Sequence, residues 1–309
     1  MSKHIVNPLS SPDRKTSRSL TDSGDSYKES YEQNVKVLTK RFKKVFDALE
    51  ANLKPKTKLS KRGKLKGSRL HMYSYSNKLF TQKDDKFQDF NTTFVFLLDV
   101  SGSMNAKTEG VNNTRLSRLG LSKAILKALS ISLKKSLKGK IKIEVLLKSC
   151  PESKFQEHGN AGFLSRVYSS SVSTINPDVI DNINYSCPVA DEQGNQSGSS
   201  TPELLLGKAV SYFLQSYVKT KNYLVFNMTD GDIYTNMSSE NTYTSWSNRD
   251  NYKCMKKYFK GIPFISILMG YGFGKEDMKN HPNPVLCTDD KFVVRLETTI
   301  SKLARSLAQ

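Results

Sequence analysis

From Thr92 onward the sequence alternates between short apolar runs and longer segments in which apolar residues recur every three or four positions. The short runs are typical of strands buried on both faces, and the longer segments are typical of amphipathic helices. This alternation predicts an α/β fold, a doubly wound and mostly parallel sheet with helices on both faces. The predicted strands are 93–100, 140–149, 222–232, 263–272 and 291–296, and the predicted helices are 115–137, 201–219, 250–259 and 298–307.

The composition divides the chain into three regions. Residues 1–33 are polar and offer little apolar surface to bury, so we expect a disordered tail. Residues 34–90 are expected to form a basic extension and lead-in, with a helix that begins at Val35 and ends near Leu53. Residues 91–309 form the predicted α/β domain, in which the sequence is less regular and rich in serine and asparagine at about 150–200.

Oxygen-bearing side chains follow two of the predicted strands and precede a predicted helix. Asp99, Ser101 and Ser103 occur at alternate positions after the first strand, and Asp230 lies in a T-D-G triplet after another. Thr201 presents a hydroxyl at the start of a helix. In doubly wound sheets, ligands bind beyond the carboxyl ends of the strands. Carboxylates combined with neutral hydroxyls suit a small hard cation such as Mg²⁺.

This set of motifs resembles the metal-ion-dependent adhesion site of von Willebrand factor A (VWA) domains. The resemblance rests on D-x-S-x-S, a threonine before a central helix and T-D-G, in that order along the chain. It implies a VWA fold and a Mg²⁺ or Mn²⁺ site made by Asp99, Ser101, Ser103, Thr201 and Asp230. It also implies that an acidic residue of a protein partner completes the metal coordination. The separation between Ser103 and Thr201 is long for this family, so the resemblance implies an insertion at about 150–200. Without metal the two carboxylates would repel, so we expect removal of Asp99 not to destabilise the metal-free protein.

A narrower resemblance extends upstream of the site. The segments "RGKLKGSRL" and "LFTQKDDKFQDFNTTFVFLLDVSGSM" look like the lead-in of the CobT-type subunit of aerobic cobalt chelatase, and "FISILMGYG" is loosely similar to a later strand of that family. This chain has a basic extension where that family carries a long acidic region, a pattern compatible with a phage-encoded, CobT-like relative. The resemblance implies a non-ATPase subunit that works with an AAA+ ATPase of the chelatase or MoxR type.

Charge supports an alternative function. The formal net charge is +19, and thirteen lysines and arginines lie between Lys36 and Arg69 against two acidic residues. Such a run attracts polyanions, so the alternative is a nucleic-acid-binding protein that uses its VWA domain to recruit partners. A solvated face or a linker is the plainer interpretation of the same run.

Other features argue against catalysis and against secretion. The sequence has no P-loop, and its four histidines, interpreted as solvated surface residues, lie at no triad-like or metal-ligand spacing. A hydrolase with Asp99 as nucleophile is disfavoured because Ser101 stands where a second acid is needed. The four cysteines are widely spaced, which favours free thiols. No signal peptide or membrane-spanning segment is evident, so we expect a cytoplasmic protein that binds no membrane.

Overall fold

The computed structural model describes residues 5–6, 25–53, 57–60, 64–65, 80–83, 92–100, 102–109, 114–136, 141–151, 163–171, 178–181, 183, 198–199, 203–220, 222–230, 261–269, 281–287 and 291–307. Its strands are β1 (Ile5–Val6), β2 (Thr57–Ser60), β3 (Lys64–Leu65), β4 (Phe80–Lys83), β5 (Thr92–Asp99), β6 (Lys107–Glu109), β7 (Arg115–Ser117), β8 (Ile141–Pro151), β9 (Phe163–Ser171), β10 (Gly198–Ser199), β11 (Asn222–Thr229), β12 (Phe264–Leu268) and β13 (Pro284–Leu286). Its helices are α1 (Asp25–Leu53), the 3₁₀ helix η1 (Gly102–Asn105), α2 (Arg118–Ser136), α3 (Asp178–Asp181), α4 (Glu203–Tyr217) and α5 (Phe292–Leu307).

One mostly parallel sheet organises the molecule and confirms the predicted fold class. Its strand order is β1-β9-β8-β5-β11-β12-β13, and β10 pairs with the end of β8. Strands β8, β5, β11, β12 and β13 run parallel, whereas β9 is antiparallel to β8. From the central β5, the chain builds outward through β8 and β9 and then returns to add β11, β12 and β13 on the other side. Strand β1, the first in the chain, pairs with β9 at the far edge. Two smaller antiparallel sheets, β2-β4-β3 and β6-β7, lie outside this sheet.

Alternate residues of β5 point into two different cores. Phe94, Phe96 and Leu98 join the larger cluster, which α1, α2 and α5 cover. Val95 and Leu97 join the smaller cluster on the opposite face, which α4 covers. All five side chains are at most 1% exposed, as expected for a central strand of a parallel sheet with helices on both faces.

Helix α1 packs into the larger core. Its residues Leu38, Phe42 and Phe46 are at most 1% exposed and lie on one face at helical spacing. The Phe46 ring meets the Phe94 ring of β5 edge to face, with centroids 6.5 Å apart. The helix predicted from the apolar repeat is therefore present, and it is packed against the α/β domain.

The start of α1 differs from the expected boundary. The helix begins at Asp25, so a tail boundary at residue 33 falls inside it. Tyr27 and Tyr31 stack with ring centroids 6.0 Å apart, and the Tyr31 hydroxyl donates to Asp181 Oδ1 at 2.7 Å. These aromatic and polar contacts stabilise the first turns of α1, which have few aliphatic residues and therefore no apolar repeat in the sequence. Residues 1–4 and 7–24 lie outside the described residues, while Ile5–Val6 pair with β9.

The C-terminal segment corrects a prediction. Residues 291–296 were expected to form a strand, but they begin α5. Phe292, Leu296 and Ile300 recur every four residues and are buried, whereas Val294 is 60% exposed. This periodicity is helical, and the β-branched composition of the segment obscured it. The edge strand is β13 instead, and the predicted helix at 250–259 lies outside the described residues.

Within the ranges given above, no helix combines the length and the apolar character needed to cross a membrane.

Candidate functional site

The candidate site lies where the winding of the sheet changes direction. Strands β5 and β11 are neighbours, yet the chain continues from β5 to β8 on one side and from β11 to β12 on the opposite side. Connections diverge at such a point and leave a crevice beyond the carboxyl ends of the strands, where ligands bind. Asp99 is the last residue of β5, and Asp230 directly follows β11. The fold thus brings two predicted site residues to the edges of one crevice.

Asp99 is buried and has a basic partner. Its Oδ2 atom lies 3.2 Å from Lys148 Nζ and accepts a hydrogen bond of 2.8 Å from the Thr229 hydroxyl. The Asp99 and Lys148 side chains are 1% and 2% exposed. The two residues are register partners in the parallel ladder of β5 and β8, so their side chains project from the same face. Three contacting side chains, Lys148 of β8, Asp99 of β5 and Thr229 of β11, therefore form a row across the ends of these strands.

Asp230 is paired in the same manner by a residue of α2. Arg118 Nη1 lies 3.0 Å from Asp230 Oδ2, and the Asp230 side chain is fully buried. Arg118 Nη1 also lies 3.4 Å from the Ser103 carbonyl oxygen, and the Arg118 amide donates to the Ala106 carbonyl at 2.9 Å. Arg118 therefore connects the loop after β5 with the end of β11, across the crevice.

The loop after β5 forms η1 because one apolar side chain fixes it. Met104 is fully buried, whereas the neighbouring Ser103 is exposed. The Ala106 amide donates to the Ser103 carbonyl at 3.1 Å and closes the turn. Burial of Met104 therefore holds Ser103 at the surface of the crevice.

Three of the five predicted site residues lie at this edge, namely Asp99, Ser103 and Asp230. Ser101 and Thr201 lie outside the described residues. In the part of the chain that the structure describes, no group of three or more histidine, cysteine or acidic side chains could hold a metal ion. A cation here would therefore depend on hydroxyl oxygens as well as on the two carboxylates. That donor set has the all-oxygen chemistry of a Mg²⁺ site.

The charge balance of the site corrects one premise of the sequence analysis. The two carboxylates were expected to repel each other in the metal-free protein. Each one instead has a basic partner, Lys148 for Asp99 and Arg118 for Asp230. Removing Asp99 would leave the Lys148 ammonium buried without its counter-ion, which is unfavourable. We therefore expect substitution of Asp99 to destabilise the metal-free protein.

Sequence reasoning missed both basic partners. Lys148 follows Leu146 at an inward-facing position of a strand, but the neighbour of that position depends on strand register, which the sequence does not reveal. Arg118 left a faint signal, since a cation in the first turn of a helix opposes the helix dipole. A residue in that unfavourable place calls for a compensating partner, and Asp230 provides it.

Two further side chains refine the sequence analysis. His281 is 3% exposed, so its interpretation as a solvated histidine is wrong. Cys287 is a free thiol that packs against the larger core, and burial raises the pKa of this thiol to about 12. The Cys287 thiol is therefore protonated and unreactive at neutral pH.

Comparisons of the chain with protein-family models and with curated proteins found no match.

Proposed function

We propose that this protein is a metal-dependent protein-interaction subunit whose site lies at the carboxyl ends of β5 and β11. The observation that carries the proposal is the placement of two buried aspartates, Asp99 and Asp230, on neighbouring parallel strands at the switch point of the sheet. Lys148 and Arg118 balance these two carboxylates in the metal-free protein, and the carboxylate and hydroxyl oxygens at this edge are the ligands that Mg²⁺ prefers.

Among the described residues, Asp99, Ser103 and Asp230 would hold Mg²⁺ or Mn²⁺, and Ser101 and Thr201 are proposed to complete the set. The bound ion would supply an open coordination position for a carboxylate. The chain's own residues prepare this site. Met104 anchors the loop that presents Ser103, and Thr229 orients the Asp99 carboxylate through its hydroxyl.

Arg118 is proposed to regulate access to the site. Its guanidinium pairs with Asp230, and a second cation beside the same carboxylate would be repelled. Displacement of Arg118 from Asp230 would therefore accompany metal binding, and the freed guanidinium could then pair with an acidic partner. Lys148 is buried and would keep its contact with Asp99.

The proposed partner is an AAA+ ATPase of the chelatase or MoxR type, for which this chain would serve as a CobT-like, non-catalytic subunit. Support for this part comes from the sequence resemblance. The strand order and the antiparallel β9 are compatible with a VWA domain.

The test is binding to purified MoxR-type ATPase from the same source, measured in Mg²⁺ and in EDTA. We expect binding in Mg²⁺ only, and we expect Ser103→Ala to need about 10-fold or more Mg²⁺ for the same binding. Ser301→Ala, a serine on α5 away from the crevice, is the matched control and should bind like the wild type. Equal binding in EDTA, or an unchanged Mg²⁺ requirement in Ser103→Ala, would contradict the proposal.

A further inference from the structure

A lysine-lined groove between α1 and α2 lies apart from the candidate metal site. It encloses about 470 Å³. Its lining residues are Tyr31, Glu32, Val35, Lys36, Thr39, Lys40 and Lys43 of α1 and Lys127, Ile131 and Lys135 of α2. Five lysines thus face one acidic residue. We propose that this groove binds the sugar-phosphate backbone of a double-stranded nucleic acid without sequence preference.

The lysines form two rows at helical spacing. Lys36, Lys40 and Lys43 follow each other at four and three residues on α1, so they share one face and span about 10 Å along the axis. Lys127 and Lys135 lie eight residues apart on α2, about 12 Å along its axis. Two rows of cations, one on each helix, suit a linear polyanion better than a single small anion.

Three of these lysines are available to an external anion. Lys36, Lys40 and Lys135 are exposed and form no ion pair among the described residues. The other two already have partners, since Lys43 pairs with Asp47 at 2.7 Å and Lys127 pairs with Asp181 at 2.5 Å. The groove therefore retains a net positive charge after its internal pairs are counted.

Internal hydrogen bonds preform the groove. The Ser132 hydroxyl donates to the Thr39 carbonyl at 3.1 Å, and the Ser136 hydroxyl donates to Asp47 Oδ1 at 2.6 Å. Both bonds join α1 to α2. Binding would therefore require little ordering of the helices, although the lysine side chains would lose rotamer freedom.

The lining favours a phosphate backbone over a protein or an unpaired strand. Among the described residues, its aliphatic lining consists of Val35 and Ile131, whereas protein interfaces centre on buried aromatic and apolar anchors. Unpaired strands bind through stacking on aromatic rings. Tyr31 lines the groove, but this residue is only 8% exposed and its hydroxyl donates a hydrogen bond to Asp181, so its ring offers little surface for stacking. Charge without a stacking surface is typical of backbone contacts to a duplex.

The groove also defines a smaller nucleic-acid-binding surface than the whole basic run that the sequence analysis proposed. Among the described residues of the basic run between Lys36 and Arg69, Lys36, Lys40 and Lys43 line the groove, and α2 supplies Lys127 and Lys135. This inference is independent of the proposed metal site.

The test is fluorescence anisotropy of the full chain with a short labelled duplex of random sequence, titrated over a range of salt concentrations. The groove variant carries Lys36→Gln, Lys40→Gln and Lys135→Gln. The matched control carries Lys142→Gln, Lys219→Gln and Lys302→Gln, three exposed lysines outside the groove. Both variants lose the same charge, so only the position of that charge differs.

We expect the groove variant to bind about 10-fold or more weakly, with a log-log salt slope reduced by up to ~2.7, because each lost phosphate contact removes about 0.9. The control should retain the wild-type slope, and EDTA should change neither. Equal weakening in both variants would overturn the proposal. So would a preference for the single strand, displacement of the duplex by poly-glutamate at equal charge, or binding to anionic vesicles in place of DNA.

Discussion

The crevice at the carboxyl ends of β5 and β11 and the groove between α1 and α2 use charge in opposite ways. At the crevice, each of the two aspartates is buried and has a basic partner within 3.2 Å. In the groove, three lysines are exposed and form no ion pair among the described residues. A buried charge must be compensated within the fold, whereas water solvates an exposed one. Substitutions that break the buried ion pairs of the crevice should therefore change stability, whereas substitutions of the exposed groove lysines should change binding alone.

The largest expected effect comes from Lys148→Met, which leaves the Asp99 carboxylate buried without its cation. We expect the free energy of unfolding in EDTA to fall by about 3 kcal/mol, the lower end of the range for breaking a buried pair, because Thr229 still donates to Asp99. Urea denaturation measures this. Lys142→Met on the same strand is the control, since Lys142 is exposed, and it should lose less than about 0.5 kcal/mol. Equal losses of unfolding free energy in the two variants would contradict the claim that the buried Lys148 stabilises the fold more than the exposed Lys142.

Arg118→Gln should produce a smaller loss and a gain of metal affinity. We expect the metal-free protein to lose about 1–3 kcal/mol, because the buried Asp230 carboxylate loses its ion pair with Arg118. Removal of the competing guanidinium should at the same time tighten Mg²⁺ binding. Urea denaturation in EDTA and calorimetric titration measure the two effects, with the exposed Arg115→Gln as the control. A loss of stability together with weaker metal binding would contradict the proposed role of Arg118.

The triple lysine variant of the groove tests whether exposed charges contribute to stability. Lys36→Gln, Lys40→Gln and Lys135→Gln together remove three charges, yet each site is exposed and unpaired among the described residues. We expect each substitution to change the free energy of unfolding by less than about 0.5 kcal/mol. Urea denaturation should therefore rank this triple variant as more stable than the single variant Lys148→Met. The reverse order would show that the groove lysines stabilise the fold.

The smallest effect concerns Asp47, where α1 meets α2. Hydrogen bonds from Lys43 and Ser136 lower the pKa of this carboxyl below its usual value of 3.8. A lowered pKa in the folded state means that the contribution is present above pH 3.8 and is lost as the pH falls through the folded-state value. Asp47→Asn should therefore melt slightly below the wild type at neutral pH, and the difference should shrink in acid. A difference that grows in acid would contradict this assignment.

The sequence predicted those features of the fold and the site that depend on one strand, helix or motif by itself. Apolar periodicity located β5, α2 and β11, and the D-x-S-x-S and T-D-G motifs located Asp99 and Asp230. Features that depend on pairing between elements were not predictable. The Asp99–Lys148 contact follows from strand register, and the Arg118–Asp230 contact follows from how α2 docks. The misassigned start of α5 had a local cause, since Val293 and Val294 favour strands in isolation.

The pairing of both aspartates with basic residues also changes the stability that we expect of the metal-free protein. A site with two uncompensated carboxylates would be unstable until a cation bound. With Lys148 and Arg118 in place, the fold is compensated without metal. Metal bound at the proposed site would then add stability by mass action, about 1.4 kcal/mol when the free metal concentration is ten times the dissociation constant.

The most direct measurement of the central claim is calorimetric titration of Mg²⁺ into the metal-free wild type, Ser103→Ala and Ser301→Ala. Ser103 is exposed, so its substitution should leave the fold intact and remove one proposed ligand. The account predicts saturation at one ion per chain for the wild type and for Ser301→Ala, with Ser103→Ala weaker by about 10-fold or more, the usual scale for a lost metal-site group. Absence of saturable binding in the wild type, or equal affinity in all three proteins, would contradict the account.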